Sequence, residues 1–555
     1  MKSETVKNAS VSMLVGATLV TGVIMLAPGW GEDGPPPAPG PAARAMAAVG
    51  AGAPPSVSDL DALIRDREKW LGAHPGDGES WAMLGSAYVE RGTQLADPAY
   101  YSRAESALRH SLEVVPDDKG NVDALVGLAA LANARRDFGA ARTWGERAKK
   151  QKPERWTVYP VLIDAYNGLG DYPAAGKAMD KLEKLHPGGQ TLGLASQIFR
   201  ERGWREDAAS LAYSAAAGAD APSEKAAALQ RLGELAWERG EPQEALDNYD
   251  ASLRFVSKHH PSLVGRARAL AALGRTQEAI RDYRTALQLA SLPEYALEAG
   301  ELYQSLELEG DAATQYEQLR LRAAKAEEDG VNEQLVLGRF EADHGDPESA
   351  VERLTAEWVR QHRSVYVADA LGWALYQAGR AEEALPFAKK ATGQGLRSAL
   401  FAYHRGEIER ALEQPGAARR HLAEALRINP YFSPLLAPVA KEALDELGEP
   451  PPGGPRDVTA EDEAAGRAEQ PSPGQSPSEQ SPPEQPAAEQ SPSDQQSPEQ
   501  PAAEQPRGDS AQEKSQETSQ EPKLPPSANP APGKPSAEAG TDRPASPDAS
   551  GRGRD

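Results

Sequence analysis

The chain has 555 residues, 83 acidic against 60 basic side chains, a formal charge of -23, 6% aromatics and no cysteine. Without cysteine there is no disulfide framework, cysteine-ligated zinc, thiol nucleophile or lipidated N-terminal cysteine. The acidic balance, with no clustered Lys/Arg run, excludes a nucleic-acid footprint and points to protein partners.

After Lys2 and Lys7, the segment Ala9 to Ala27 is uncharged. At ~1.5 Å rise per residue it would be roughly 28 Å long as a helix, close to the thickness of a bilayer core. Pro28, Gly29 and Trp30 follow where a signal peptide would carry a small-x-small cleavage site, so the spacing predicts an uncleaved transmembrane anchor over residues 1–28, with a cleaved signal peptide as the alternative. The two lysines before the segment, against Glu32 and Asp33 after it, orient the N-terminus to the cytoplasm. The remainder is then extracytoplasmic, or secreted if the segment is cut.

Residues 29–57 are rich in Pro, Gly and Ala and read as a linker. From 58 to 448 the chain is a succession of amphipathic helices of a dozen or so residues, punctuated by Gly-Asp, Gly-Arg and Gly-Glu turns, with no alternating strand pattern. From 449 to 555 the composition shifts to Pro, Gln, Ser and Glu, with "EQPAAEQ" appearing twice and 19 acidic against 9 basic residues from Pro450 onward. Such a segment buries too little apolar surface to offset its ordering entropy, so a disordered tail is predicted.

The helical region repeats on itself with a period of about 34 residues, each unit being two helices and a tight turn. The first unit is marked by Trp81, Leu84, Gly85, Tyr88, Ala104, Leu108, Ser111 and Pro116, with a loop insertion "TQLADPA". The second and third follow at Leu128-Ala129, Ala141 and Ala148, and at Leu162, Tyr166, Ala175 and Met179. The fourth is less regular, with Ala195, Ala208 and Ala212, whereas the fifth has Leu232-Gly233, Ala245, Tyr249 and Ser252. The sixth lacks the Leu-Gly step, carrying Arg266-Ala267 before Ala279 and Tyr283. The last four are marked by Gly300 and Ala312, Gly338 and Ala350, Gly372 and Ala384, and Gly406 and Ala418. Small residues therefore recur where leucine would bury more surface, which is the mark of one helix crossing another closely.

This pattern resembles the tetratricopeptide repeat family. The resemblance implies an all-α, right-handed superhelical solenoid of about ten helix pairs, stacked so that neighbours bury what one pair cannot. Residues 58–72 and "SPLLAPVAKEALDEL" past Tyr431 read as capping helices at the two ends.

No H-E-x-x-H, G-x-S-x-G, phosphate-cradling or dinucleotide motif is present. His259-His260 is adjacent to Pro261, where a helix-end role outweighs metal binding, because neighbouring residues on a helix diverge. No enzymatic activity, metal or cofactor is expected. In the resembled family the first helix of each unit lines a concave partner-binding face. Matching positions here are Arg339, Tyr366, Asp369, Trp373, Tyr376, Tyr403, Glu407 and Arg410, rich in the residue types that anchor interfaces; packing against adjacent helices is the competing role for the tyrosines. The lysine/asparagine clamp of chaperone-tail-binding members is replaced by Ala82, Ser86, Val126 and Ala130. The resulting expectation is a bacterial, membrane-anchored protein-binding scaffold for a peptide or subunit of an envelope complex. An accessory subunit that recruits substrate for an envelope enzyme, or a cytoplasmic-facing adaptor, are its alternatives.

Overall fold

The computed structural model describes residues 39–51, 54–360 and 362–449. The predicted membrane segment and the proline- and glutamine-rich tail lie outside the described residues. Among the described residues all regular structure is helical, and no helix is long and apolar enough to cross a membrane.

Two helices come first, α1 (Pro41–Ala51) and α2 (Val57–Ala73). Ten helix pairs follow: α3 (Gly78–Leu95) with α4 (Ala99–Val114), α5 (Val122–Ala134) with α6 (Phe138–Gln151), α7 (Val158–Leu169) with α8 (Tyr172–Leu185), α9 (Gly189–Glu201) with α10 (Arg205–Gly218), and α11 (Pro222–Glu238) with α12 (Pro242–Phe255). The second five are α13 (His260–Ala272) with α14 (Thr276–Leu289), α15 (Pro293–Ser305) with α16 (Glu309–Glu328), α17 (Gln334–His344) with α18 (Pro347–Val359), α19 (Val365–Gln377) with α20 (Ala381–Thr392), and α21 (Ala399–Ala411) with α22 (Pro415–Ile428). A last helix, α23 (Leu436–Leu447), covers α22. The ten units and both end helices fall where the repeat period predicts them. One difference is α1, which lies inside the stretch read as linker. Its sequence PAARAMAAVGA is mostly alanine, the best helix former, with proline at the first position. It is held because Ala45 is fully buried and Arg44 pairs with Asp59 of α2 at 2.5 Å.

Nine of the ten pairs pack most closely on themselves and next on their neighbours in the chain; the first helix of the third packs as closely on the preceding unit. The repeat-position alanine of every second helix is shut off from solvent: Ala104, Ala141, Ala175, Ala208, Ala245, Ala279, Ala312, Ala350, Ala384 and Ala418 are each 0–1% exposed. Four positions further along, except in the second unit where Gly145 receives Leu162 instead, sits a side chain that packs on the first helix. Leu108 lies between Gly85 of its own unit and Gly127 of the next, and Tyr249 between Gly233 and Gly265. A Cβ at Gly85 would come 2.5 Å from Leu108 Cγ, and one at Gly233 would come 2.5 Å from Tyr249 Cε1. In the ninth unit the plug is itself an alanine, Ala388, and a Cβ at Gly372 would meet backbone instead, 3.2 Å from the Ala388 nitrogen. Glycine is needed at these sites for space, and the close approach it permits fixes how steeply each unit is inclined on the last.

That inclination brings the array back onto itself. The internal turns of early units touch the starts of later ones: the Arg135 carbonyl accepts from the Asn332 amide at 2.9 Å, and Arg136 pairs with Glu333 and, at 2.6 Å, with Glu294. One unit along, the Tyr172 hydroxyl accepts from the Val365 amide at 3.0 Å. After that Arg205 donates to the Arg397 carbonyl at 2.7 Å, and Asn429 donates to the Trp237 carbonyl at 2.8 Å. The partners advance together along the chain, so these contacts form one continuous seam with about five to six units per superhelical turn.

In every unit but the eighth the turn between the two helices uses a left-handed residue, and two such glycines separate local strain from the seam. Gly274 (φ 73°) faces open space, whereas Gly170 (φ 74°) abuts the Arg363 carbonyl across the seam. Gly274→Ala is expected to cost about 1 kcal/mol from the left-handed backbone alone. Gly170→Ala should cost about 1–3 kcal/mol more, because backbone of a later unit must also move. Denaturant unfolding of both variants measures the difference, and equal costs would mean the seam is not closed.

Candidate functional site: the inward face of the superhelix

Because the turns close edge to edge, the first helices line the inside of a coil. Asp164 of α7, Glu201 of α9 and Arg231 of α11 sit within electrostatic reach of one another on three successive units. Asp164 is open to water inside the coil but walled in by protein. Burial therefore pushes its carboxyl up to about 6, Glu201 adding to the effect and Arg231 opposing it. Arg200 of α9 pairs with Glu238 of α11 on the next unit at 2.5 Å and, across the coil, donates to the Tyr366 hydroxyl of α19 at 3.1 Å. In the sixth unit Arg268 joins Glu234 on one side to Glu298 on the other, at 3.1 and 2.8 Å.

Further along, the inward helices of units five to ten, with residues 430–438, wall a cavity of about 490 Å³. Trp373 is its central aromatic. The indole Nε1 donates to Asp343 at 2.7 Å, and the ring stacks on His404 at 4.0 Å and on Tyr376 at 4.9 Å. His404 turns its Nδ1 to Asp369 at 2.9 Å. Tyr403 packs between Trp373 and Phe432, at 5.6 Å from each.

The eight residues singled out on the sequence are thus brought together only in part. Arg339, Asp369 and Trp373 line the cavity. Tyr366 belongs to the seam through Arg200, with its ring edge-on to Phe401 at 5.8 Å. Asp369 and Trp373 are 5% exposed, and Tyr403 and Glu407 are 3% exposed, so these four mainly pack against their neighbours. Glu407 holds Arg410 at 2.7 Å. Arg339 is exposed, and Tyr376 and Arg410 are half-buried. His404, Asp343, Arg268 and Phe432 were not singled out. Their signal is weak in the linear pattern, since they converge only once the curvature is known. His259 sits at the N-terminal boundary of α13 without capping a backbone amide, its Nδ1 2.8 Å from the Ser262 hydroxyl, and His260 bonds the Tyr295 hydroxyl at 2.8 Å. Among the described residues no group of three or more His, Asp or Glu is placed to hold a metal ion.

With this geometry in view, comparison with known proteins finds that residues 260–291, which span α13 and α14, match the family model described as tetratricopeptide repeat. That pair is similar to a tetratricopeptide repeat. It is the sixth unit, the one without the Leu-Gly step, and the other nine units share its two-helix plan. No curated protein matches the chain. Similar solved structures include the hetero-tetramer Cut9-Hcn1 of APC/C, at 15% identity with a TM-score of 0.36, covering 71% of this chain and 84% of that one. A tetratricopeptide repeat protein from Parabacteroides merdae matches at 21% identity with a TM-score of 0.30, covering 47% of this chain and 99% of its own. A monomeric mutant of IFIT1 with Gppp-AAAA matches at 12% identity with a TM-score of 0.38, covering 60% and 77%.

The position of Asp164 has a pH signature. The unfolded carboxyl loses its proton near its ordinary value of 3.8, but the folded one holds it to about 6. The group's contribution to stability therefore falls as pH rises through that window. Asp164→Asn is expected to be more stable than the parent above about pH 6 and indistinguishable from it near pH 4. Denaturant melts at both pH values check this, and a gain of the same size at both would place the cause elsewhere.

Proposed function

We propose that the chain is a non-enzymatic scaffold that docks a peptide segment or subunit of an envelope-associated complex on the inward face of its later units. The observation that carries this reading is the set of interface-type side chains left accessible there: Arg339 exposed, and Tyr376 half-buried within reach of Glu407 and Arg410. Tyrosine and arginine on a rigid helical wall offer large contact area at small entropic cost. The buried Trp373, Tyr403 and His404 behind them hold that wall in one conformation.

The scaffold is further proposed to be of bacterial type and anchored through Ala9–Ala27, with the repeats outside the cytoplasm. Support for this comes from the length and lack of charge of that segment and the lysines before it. A reporter active in only one compartment, fused at the C-terminus, tests the orientation.

Crosslinking in cells followed by pull-down of the full chain tests the docking face. Tyr376→Ala combined with Arg410→Ala is expected to weaken capture of a specific partner by about tenfold or more, without loss of helicity. Undiminished capture by the double variant would contradict the proposal.

A further inference from the structure

Three carboxylates in the wall of the cavity keep oxygens that no protein group bonds among the described residues. Both donors to Glu298, Arg268 at 2.8 Å and Tyr283 at 3.1 Å, reach its Oε2 and leave Oε1 free. Both donors to Asp343, Trp373 at 2.7 Å and Gln377 at 3.0 Å, reach its Oδ1 and leave Oδ2 free. Glu301 accepts no hydrogen bond among the described residues, its Oε1 lying 3.7 Å from His344 Nε2. None of these free oxygens is closed off from solvent, and the Glu301 side chain is 21% exposed. Glu298 and Glu301 stand one turn apart on α15, where like charges oppose each other. Asp343 is at the end of α17, the next inward helix. Burial, then the charges of Glu301 and Asp343, push the Tyr316 hydroxyl up, so both carboxylates lie within electrostatic reach of one group.

What the ligand must be follows from charge and bonding. The wall has four carboxylates, the fourth being Asp369, and two guanidinium groups, Arg268 and Arg339, so its net charge is −2 with His404 neutral. An anion is repelled and a dication is matched. Among the described residues no three His, Asp or Glu converge closely enough to hold a metal ion, so the charge belongs on an organic body that reaches separate carboxylates. Glu298 and Asp343 each offer one oxygen, which suits an ammonium group with its three radiating donors and leaves the paired donors of a guanidinium half used. Much of the remaining wall is apolar, through Trp237, Leu302, Leu306 and Phe432, and accepts methylene groups. The volume of about 490 Å³ lies within the range of small-molecule sites. The segment 430–438 covers one side, pinned through Asn429 to the Trp237 carbonyl.

We propose that this cavity binds a linear aliphatic diamine, with one ammonium group at Glu298 and Glu301, the other at Asp343, and the methylene chain against the apolar wall. The site goes beyond the docking face, whose Tyr376 and Arg410 do not line it. Arg339, which the docking face shares, enters only through the balance of charge.

Titration calorimetry on the full chain tests this with putrescine and cadaverine, beside pentylamine, which has one ammonium group, and pentanediol, which has none. At least one diamine should bind, pentylamine about tenfold more weakly or worse, and pentanediol not at all. Glu301→Gln should weaken the diamine by about tenfold at an unchanged melting temperature, because Glu301 accepts no hydrogen bond among the described residues. Asp343→Asn, which keeps an oxygen for the Trp373 indole, should weaken it likewise. Attraction to the acidic tail alone would survive both changes. No binding by either diamine, equal binding of cadaverine and pentylamine, or undiminished binding to either variant would each overturn the proposal. Such failure leaves the docking face untouched, since that is read out by Tyr376 and Arg410.

Discussion

The distance between paired helices is the constraint from which the larger structure follows. Leu108 and Tyr249, plugs from second helices, are each received by glycines on two successive first helices, and Tyr316, Leu354 and Leu422 by one glycine of their own unit, so the plugs set the spacing within a unit and, for the first two, to the next. A repeated offset of this kind accumulates over the array, and small changes per unit become the pitch and curvature of the whole. Here the curvature is tight enough that the coil meets itself, and the seam from Arg135–Asn332 to Trp237–Asn429 is the product. A solenoid normally contacts only its neighbours in sequence. The seam adds contacts between residues nearly two hundred positions apart, which ties the early units to the late ones.

Closure changes what the inward face can do. An open groove exposes its first helices to any extended segment, but a closed coil encloses most of them and leaves access chiefly where the wall is incomplete. The interior is accordingly charged and internally paired, as in the Arg200–Glu238–Tyr366 and Glu234–Arg268–Glu298 arrangements. Burying such groups is tolerable because they find partners on neighbouring units and, for Arg200, across the seam. Among the described residues, the Asp164, Glu201 and Arg231 group is not closed by ion pairs, and burial raises both its carboxyls.

Much of the fold is legible in the sequence because its determinants are local. The recurrence of Gly-Ala spacing, from Gly85 and Ala104 to Gly406 and Ala418, identifies ten pairs, and the end helices follow from the need to cover an exposed apolar face. What escapes is set at long range. Gly127 and Gly265 look like ordinary small residues until the plug of the preceding unit is placed against them. Arg136 reads as a turn residue, though its partners lie on the seventh and eighth units. Tyr366 occupies a concave position by register, yet the seam takes its hydroxyl. His404 follows a residue that was singled out, Tyr403, but its pairing with Asp369 depends on how far one unit rotates on the next. Repeat periodicity thus gives the units and their order. Curvature, and with it the composition of the site, depends on small inter-unit rotations that no single repeat encodes.

The closed seam is tested most directly by hydrogen exchange at two backbone amides. Asn332 precedes its helix and donates only to the Arg135 carbonyl, and Val365 begins its helix and donates to the Tyr172 hydroxyl. Neither has a partner within its own unit, so in an open spiral both would exchange at the rate of an exposed loop. A closed coil predicts protection at both positions approaching that of the neighbouring helices, and free exchange at either under native conditions would contradict it.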